Sequence, residues 1–204
     1  EIFKVHSIFY FRDETEIIKD MKTLLTFNKI NYYQELINDR FDIFINKNKL
    51  FLSQKEEYIM RNIYNNFFKI SNRLSSYPLS FCHGDLKSPN IFYKNNKTPY
   101  FLDWQYIHLN KGVSDIVFMC VESIKFNQNI LDIVNKYYYQ LILENIEDYT
   151  FQDYITDFKC SLCAFPFFVC VWFNSEDSDK LLDKCFPIRF MKNLLKYYNY
   201  FLDD

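Results

Sequence analysis

Residues 81–105, FCHGDLKSPNIFYKNNKTPYFLDWQ, decide how this chain is read. His83, Asp85 and Asn90 fall in the order H-x-D-x-x-x-x-N, and Asp103 closes a short apolar run thirteen positions after the asparagine. That set suits phosphoryl transfer, which needs a carboxylate at the attacking hydroxyl and hard oxygen ligands that fix magnesium on nucleotide phosphates. Asp85 is the candidate base, and Asn90 and Asp103 are the candidate magnesium ligands. Ile91 to Tyr93 and Tyr100 to Leu102 are strand-favouring runs on either side of KNNKTP, so they predict a hairpin that returns Asp103 to the side of Asn90. Gly84 lets the backbone turn tightly beside the aspartate. His83 is read as a brace for that turn through hydrogen bonds, not as a carrier of substrate protons.

The bare pattern is expected by accident only ~0.02 times in a chain of this composition. HGDLKSPN at 83–90, FLDWQ at 101–105 and GVSD at 112–115 together resemble the C-terminal lobe of the aminoglycoside phosphotransferase and choline kinase superfamily. D-W-Q followed by G-x-x-D is most similar to its ecdysteroid-kinase-like branch. The resemblance implies a mainly helical C-terminal lobe of a protein-kinase-like (α+β) fold with a small β-hairpin. It also implies ATP as the phosphoryl donor, Asp85 as catalytic base, and Asn90 and Asp103 as holders of Mg2+. Asp115 would brace the catalytic loop from below; the plainer role for it is compensation of a helix dipole. Lys87 stands two residues after Asp85, where serine/threonine protein kinases also carry a lysine, and is a candidate phosphate contact. Those kinases should further show D-F-G and A-P-E, whereas here the metal aspartate is followed by Trp104-Gln105 and no A-P-E occurs.

The implied activity is ATP-dependent phosphorylation of a small-molecule hydroxyl. Two other readings stay open: a pseudokinase or non-catalytic binding module, and a protein-kinase-like enzyme with a protein acceptor. A flap glycine pair and a phosphate-binding lysine upstream would discriminate the first, and the missing A-P-E weighs against the second. The chain begins with Glu and has no G-x-G-x-x-G, so it reads as lacking the N-terminal lobe and half the nucleotide site. Residues 4–10, KVHSIFY, resemble the helix that follows the hinge in the superfamily. His6 within it is read as a packing residue, since no second histidine or cysteine stands at metal-binding spacing.

The 204 residues suggest one domain spanning 1–204, and a net charge of −2 argues against a nucleic-acid surface. Six scattered cysteines suggest a reduced, cytoplasmic protein. Cys160-x-x-Cys163 lacks the two further ligands that tetrahedral zinc needs. The apolar run LCAFPFFVCVWF at 162–173 is shorter than the ~20 residues of a membrane span and is read as a buried helix.

Apolar spacing predicts two helices between Glu14 and about Asn46 with a break near Asn28. A third opens at the capping box of Ser53 and Glu56, buries Ile59, Ile63, Phe67 and Ile70, and stops at Tyr77-Pro78. Ser114 is the expected N-cap of a helix that carries Asp115 in its first turn. Further helices are expected over Ile130 to Asn145, over Phe151 to Phe173 from a box at Thr150 and Asp153 with a kink at Pro166, and over about Asp179 to Phe201.

Overall fold

Helix α3, Gln54–Leu74, shows how local chemistry sets the frame. The Ser53 hydroxyl accepts from the Glu56 amide at 3.2 Å while the Glu56 carboxylate accepts from the Ser53 amide at 2.8 Å, so two amides of the first turn are satisfied reciprocally. Its buried face carries Ile59, Met60, Ile63, Phe67 and Leu74. The computed structural model describes residues 1–10, 25–26, 30–95, 97–126, 129–144, 148–177 and 180–202.

The remaining elements are α1 (Ile2–Phe9), β1 (Leu25–Thr26), α2 (Ile30–Asn48), β2 (Ser80–Cys82), β3 (Ile91–Lys94), β4 (Thr98–Phe101) and β5 (His108–Asn110). The helices α4 (Val113–Ser123), α5 (Ile130–Leu143), α6 (Phe151–Leu162), α7 (Phe165–Ser175) and α8 (Phe186–Phe201) follow. The protein is thus mostly helical with a few short strands, in keeping with a kinase-like C-terminal lobe. Of the two helices expected before Asn46, the first falls outside the described residues except at Leu25 and Thr26, which are strand β1 and not helix, and the second is α2.

β3 and β4 form the expected hairpin, antiparallel and in register Ile91 to Phe101 through Lys94 to Thr98. Asn95 turns it with φ 53°, a conformation asparagine tolerates better than most residues. β5 pairs antiparallel with β2, opposing Cys82 to His108, and parallel with the two residues of β1.

α4 is the axis of the helical layer. It buries Val113, Asp115, Ile116, Val117, Phe118, Cys120 and Val121 and packs against α6, α7 and α8, while α2 lies along α7 and α3. One contiguous apolar cluster runs from Ile2 to Phe201 through every α-helix.

Four expectations are corrected here. The helix expected over Phe151 to Phe173 is two, α6 and α7, because Ala164 sits at φ −102° and ψ −99° and Pro166 opens a new helix in its first turn instead of kinking an old one. The stretch Phe151–Ser175 is long and apolar enough by composition to cross a membrane, yet it is broken at this point and 61% of its most apolar window is buried inside the protein. Gly112, not Ser114, occupies the N-cap position of α4; Ser114 lies inside the helix and its hydroxyl points to the Cys82 sulfur at 3.7 Å. α8 starts at Phe186, with Pro187 in its first turn, so the helix expected from about Asp179 is shorter than its apolar pattern suggests. At Thr150 the cap forms in one direction only: its hydroxyl accepts from the Asp153 amide at 3.1 Å and donates to the Asp153 carboxylate at 2.6 Å.

Candidate active site

β2 ends at Cys82 and the chain turns at Gly84, whose φ of 81° lies in the left-handed region. A Cβ there would come within 2.2 Å of the Tyr106 carbonyl oxygen, so neither the torsion nor the space admits another residue. The amides of His83 and Gly84 donate to the two carboxylate oxygens of Asp115 at 2.7 and 2.9 Å. Burial works against the charge on Asp115, but hydrogen bonds from His6, Gly84 and His83 outweigh it and hold the carboxyl below the usual carboxylate range. The Asp85 amide donates to His83 Nδ1 at 3.3 Å, which leaves the proton on Nε2 to donate to the Leu102 carbonyl at 2.9 Å. Trp104 lies against the same imidazole, ring centroids 4.5 Å apart, with its own N–H on the Phe101 carbonyl. His83 therefore ties the start of the loop to the end of the hairpin.

Asp85 is 7% exposed. The Asn90 amide nitrogen donates to the Asp85 backbone carbonyl at 2.8 Å and to its carboxylate at 3.2 Å. That fixes the orientation of the side chain, and Asn90 Oδ1 has no hydrogen-bond donor among the described residues. Lys87 Nζ lies 2.8 Å from the Asp85 carboxylate, so the lysine meets the candidate base in this structure. The Leu102 amide donates to the Asn90 carbonyl at 2.8 Å, which closes the hairpin and places Asp103 next in the chain to a residue bonded to Asn90. Asp103 is exposed and held at φ 63°, a left-handed conformation that costs an L-residue about 1–2 kcal/mol. Gln105 donates to one of its oxygens at 3.3 Å. An amide oxygen and a carboxylate are hard donors, and that pair fits magnesium better than a soft metal.

A profile of the Ecdysteroid kinase-like family matches residues 8–150, more than half of the chain. The chain belongs to the ecdysteroid kinase-like family. This family is a member of the protein-kinase-like and choline kinase superfamily and consists of kinase-like phosphotransferases. No curated protein and no solved structure matches the chain.

The matched region ends before α6 to α8 and begins after His6, where this member of the family holds a feature that spacing in the sequence hides. His6 is fully buried, as a packing residue would be, but it also binds Asp115 through Nε2 at 3.1 Å and meets the Tyr137 hydroxyl at Nδ1, 2.6 Å away. Gly112 is needed at this junction, since a Cβ there would stand 2.7 Å from the Tyr137 hydroxyl and 2.8 Å from His6. The only signal in the sequence is that Gly112 is one of two glycines in the chain. His6, Cys82 and Asp115 bring ligand atoms within 4.8 Å of one another. Asp115 is committed to His6 and to the amides of His83 and Gly84, while the Cys82 thiol donates to the carbonyls of Ser80 and Lys111 and is pushed well above its ordinary pKa by burial.

Lys111 is the second feature missed. Its side chain is 1% exposed, and Nζ donates to the carbonyls of Ser76 and Pro78 at 2.7 and 2.8 Å beside Asp157 at 3.7 Å. Burial lowers its pKa, with Asp157 opposing that effect. The lysine thereby pins the loop that enters β2 to the turn that enters α4. A cleft of about 700 Å3 lies between the C-terminal ends of α2 and α7 and the start of α8, and none of the candidate residues lines it.

Proposed function

We propose that the chain is the catalytic lobe of an ATP-dependent phosphotransferase whose acceptor is the hydroxyl of a small molecule. The observation that carries this reading is the closure of the loop on the hairpin. Asn90 is bonded through its side chain to Asp85 and through its carbonyl to Leu102, the neighbour of Asp103, and among the described residues Asn90 Oδ1 has no hydrogen-bond donor.

In this reading the acceptor hydroxyl donates to the Asp85 carboxylate, which orients it and takes its proton late in the transfer. The acceptor oxygen bonds the γ-phosphorus as the bond to the bridging oxygen breaks, and ADP departs. Asn90 and Asp103 would hold Mg2+, which neutralises charge on the phosphates. Lys87 stands beside Asp85, where its ammonium is within reach of negative charge brought to the loop. Phe92, paired across the hairpin with Tyr100, and Leu102 are exposed and give an apolar wall next to the loop against which a nucleotide base can lie. The single domain spanning 1–204 is part of the same reading.

Asp103→Asn tests it. Magnesium-dependent transfer in the protein carrying this chain should be lost, with the thermal midpoint within about 4 °C of the parent, the shift that ~1 kcal/mol produces. Unchanged turnover would remove Asp103 from the site.

A further inference from the structure

Both ends of the loop that carries the candidate base are fastened to one helix. At the upstream end the amides of His83 and Gly84 are held by Asp115, in the first turn of α4. At the downstream end the Ser88 amide donates to the Ser123 hydroxyl at 2.7 Å, and Ser123 is the last residue of the same helix. Eight residues of helix, about 12 Å of rise, separate the two anchors. The Ser123 hydroxyl in turn donates to the Glu122 carboxylate, so its lone pairs are turned toward Ser88. The helix end is itself fixed: Asn193 of α8 donates to the Val121 carbonyl at 3.2 Å, and Phe118 of α4 packs against Phe190 with ring centroids 6.2 Å apart.

We propose that Ser123, oriented by Glu122, is a positioning residue that sets where Asn90 sits relative to Asp85. The argument is geometric. Ser88, Pro89 and Asn90 form one 3-10 turn, in which Pro89 has no amide and the Asn90 amide is spent on the Lys87 carbonyl at 2.9 Å. Ser88 and Pro89 are exposed, and of the three residues only Asn90 is buried. Its one hydrogen bond to the helical layer is the one from Ser88 to Ser123, among the described residues. α4 therefore acts as a splint of fixed length, with one anchor for the segment that carries Asp85 and one for the segment that carries Asn90. This rests on the metal role proposed for Asn90, and the test below separates the two ideas.

The experiment compares Ser123→Ala with Ser123→Thr in the protein carrying this chain, by two readouts. The first is hydrogen exchange of the Ser88 amide followed by NMR, which requires no activity. Ser123→Ala should speed that exchange roughly tenfold, the scale of one net hydrogen bond, and Ser123→Thr should restore it. The second is the magnesium concentration that half-activates phosphotransfer. It should rise about fivefold or more in the alanine variant with kcat at saturating magnesium within threefold, and return in the threonine variant, a split that general loss of stability does not produce. Unchanged Ser88 exchange in Ser123→Ala would show that the clamp does not exist, whatever the protein catalyses. Faster exchange with unaltered magnesium dependence would overturn the positioning role. A parent protein that transfers no phosphoryl group would overturn it as well, through the function it serves, while the exchange result alone would still decide the clamp.

Discussion

Asp85 meets two neighbours and serves one proposed reaction, three duties that set what its replacement should do. Asn90 needs an acceptor there, Lys87 an anion, and the proposed reaction a proton acceptor. Asparagine keeps the first and loses the other two, while Lys87, 32% exposed, can turn to solvent. Asp85→Asn should therefore lower kcat by roughly a hundredfold or more with little change in nucleotide affinity. A variant turning over within threefold of the parent would remove Asp85 as the base. Asp115 gives a prediction in pH. Its folded pKa lies below the ordinary value, so the unfolded chain binds the proton more readily. The stabilisation is fully present above the unfolded value of about 4 and is lost as pH falls through the folded one. Urea unfolding between about pH 5 and pH 3 should steepen less with acid in Asp115→Asn than in the parent. Equal slopes would show that Asp115 is not the group that titrates.

Among the elements, the break between α6 and α7 is the most informative. Pro166 starts α7 at a position where its missing amide costs nothing. Pro166→Ala should then destabilise by about 1 kcal/mol through loss of a buried ring, with no helical strain relieved. An interior kink would respond oppositely, since a mid-helix proline costs about 3 kcal/mol and alanine would recover part of it. The sign of the shift in the urea midpoint separates the two. The same reasoning explains why α4 begins at Gly112 and not with a serine cap: the Tyr10 hydroxyl accepts from the Gly112 amide at 2.8 Å, so the first turn is satisfied by a distant residue.

For the molecule as a whole, one apolar cluster joins every helix to the sheet end that carries the loop. Trp104 packs on His83 at the site, and Trp172 lies in α7 under the Arg40 guanidinium, 3.5 Å from the ring centre. Proteins with a single tryptophan, Trp104→Phe and Trp172→Phe, should lose fluorescence and far-UV dichroism at coincident urea concentrations, as one cooperative unit requires. Separate midpoints would divide the chain into two units.

The local signals proved legible where the chain interacts with itself within a few residues. The hairpin around Lys94 to Thr98, the double cap of Ser53 and the buried face of α3 follow from turn chemistry, hydroxyl placement and a 3.6-residue period, all short-range. The candidate residues Asp85, Asn90 and Asp103 are likewise legible as a spaced motif, since the last two flank the short hairpin that the turn residues predict. What joins His6 to Asp115 is the packing of helices 109 positions apart, what joins Ser88 to Ser123 is a loop meeting the end of α4 35 positions on, and no spacing in the chain encodes those partners. Lys111 reads as a surface residue by type and becomes a buried anchor only because two carbonyls and Asp157 converge on it. Periodicity also carried one helix across Cys163 and Ala164, since apolar spacing persists through a turn whose direction is set by the core on both sides. Sequence determined the elements and the chemistry of the loop; tertiary packing decided which distant side chains hold that loop in place, because a hydrogen bond across the core depends on where two helices cross.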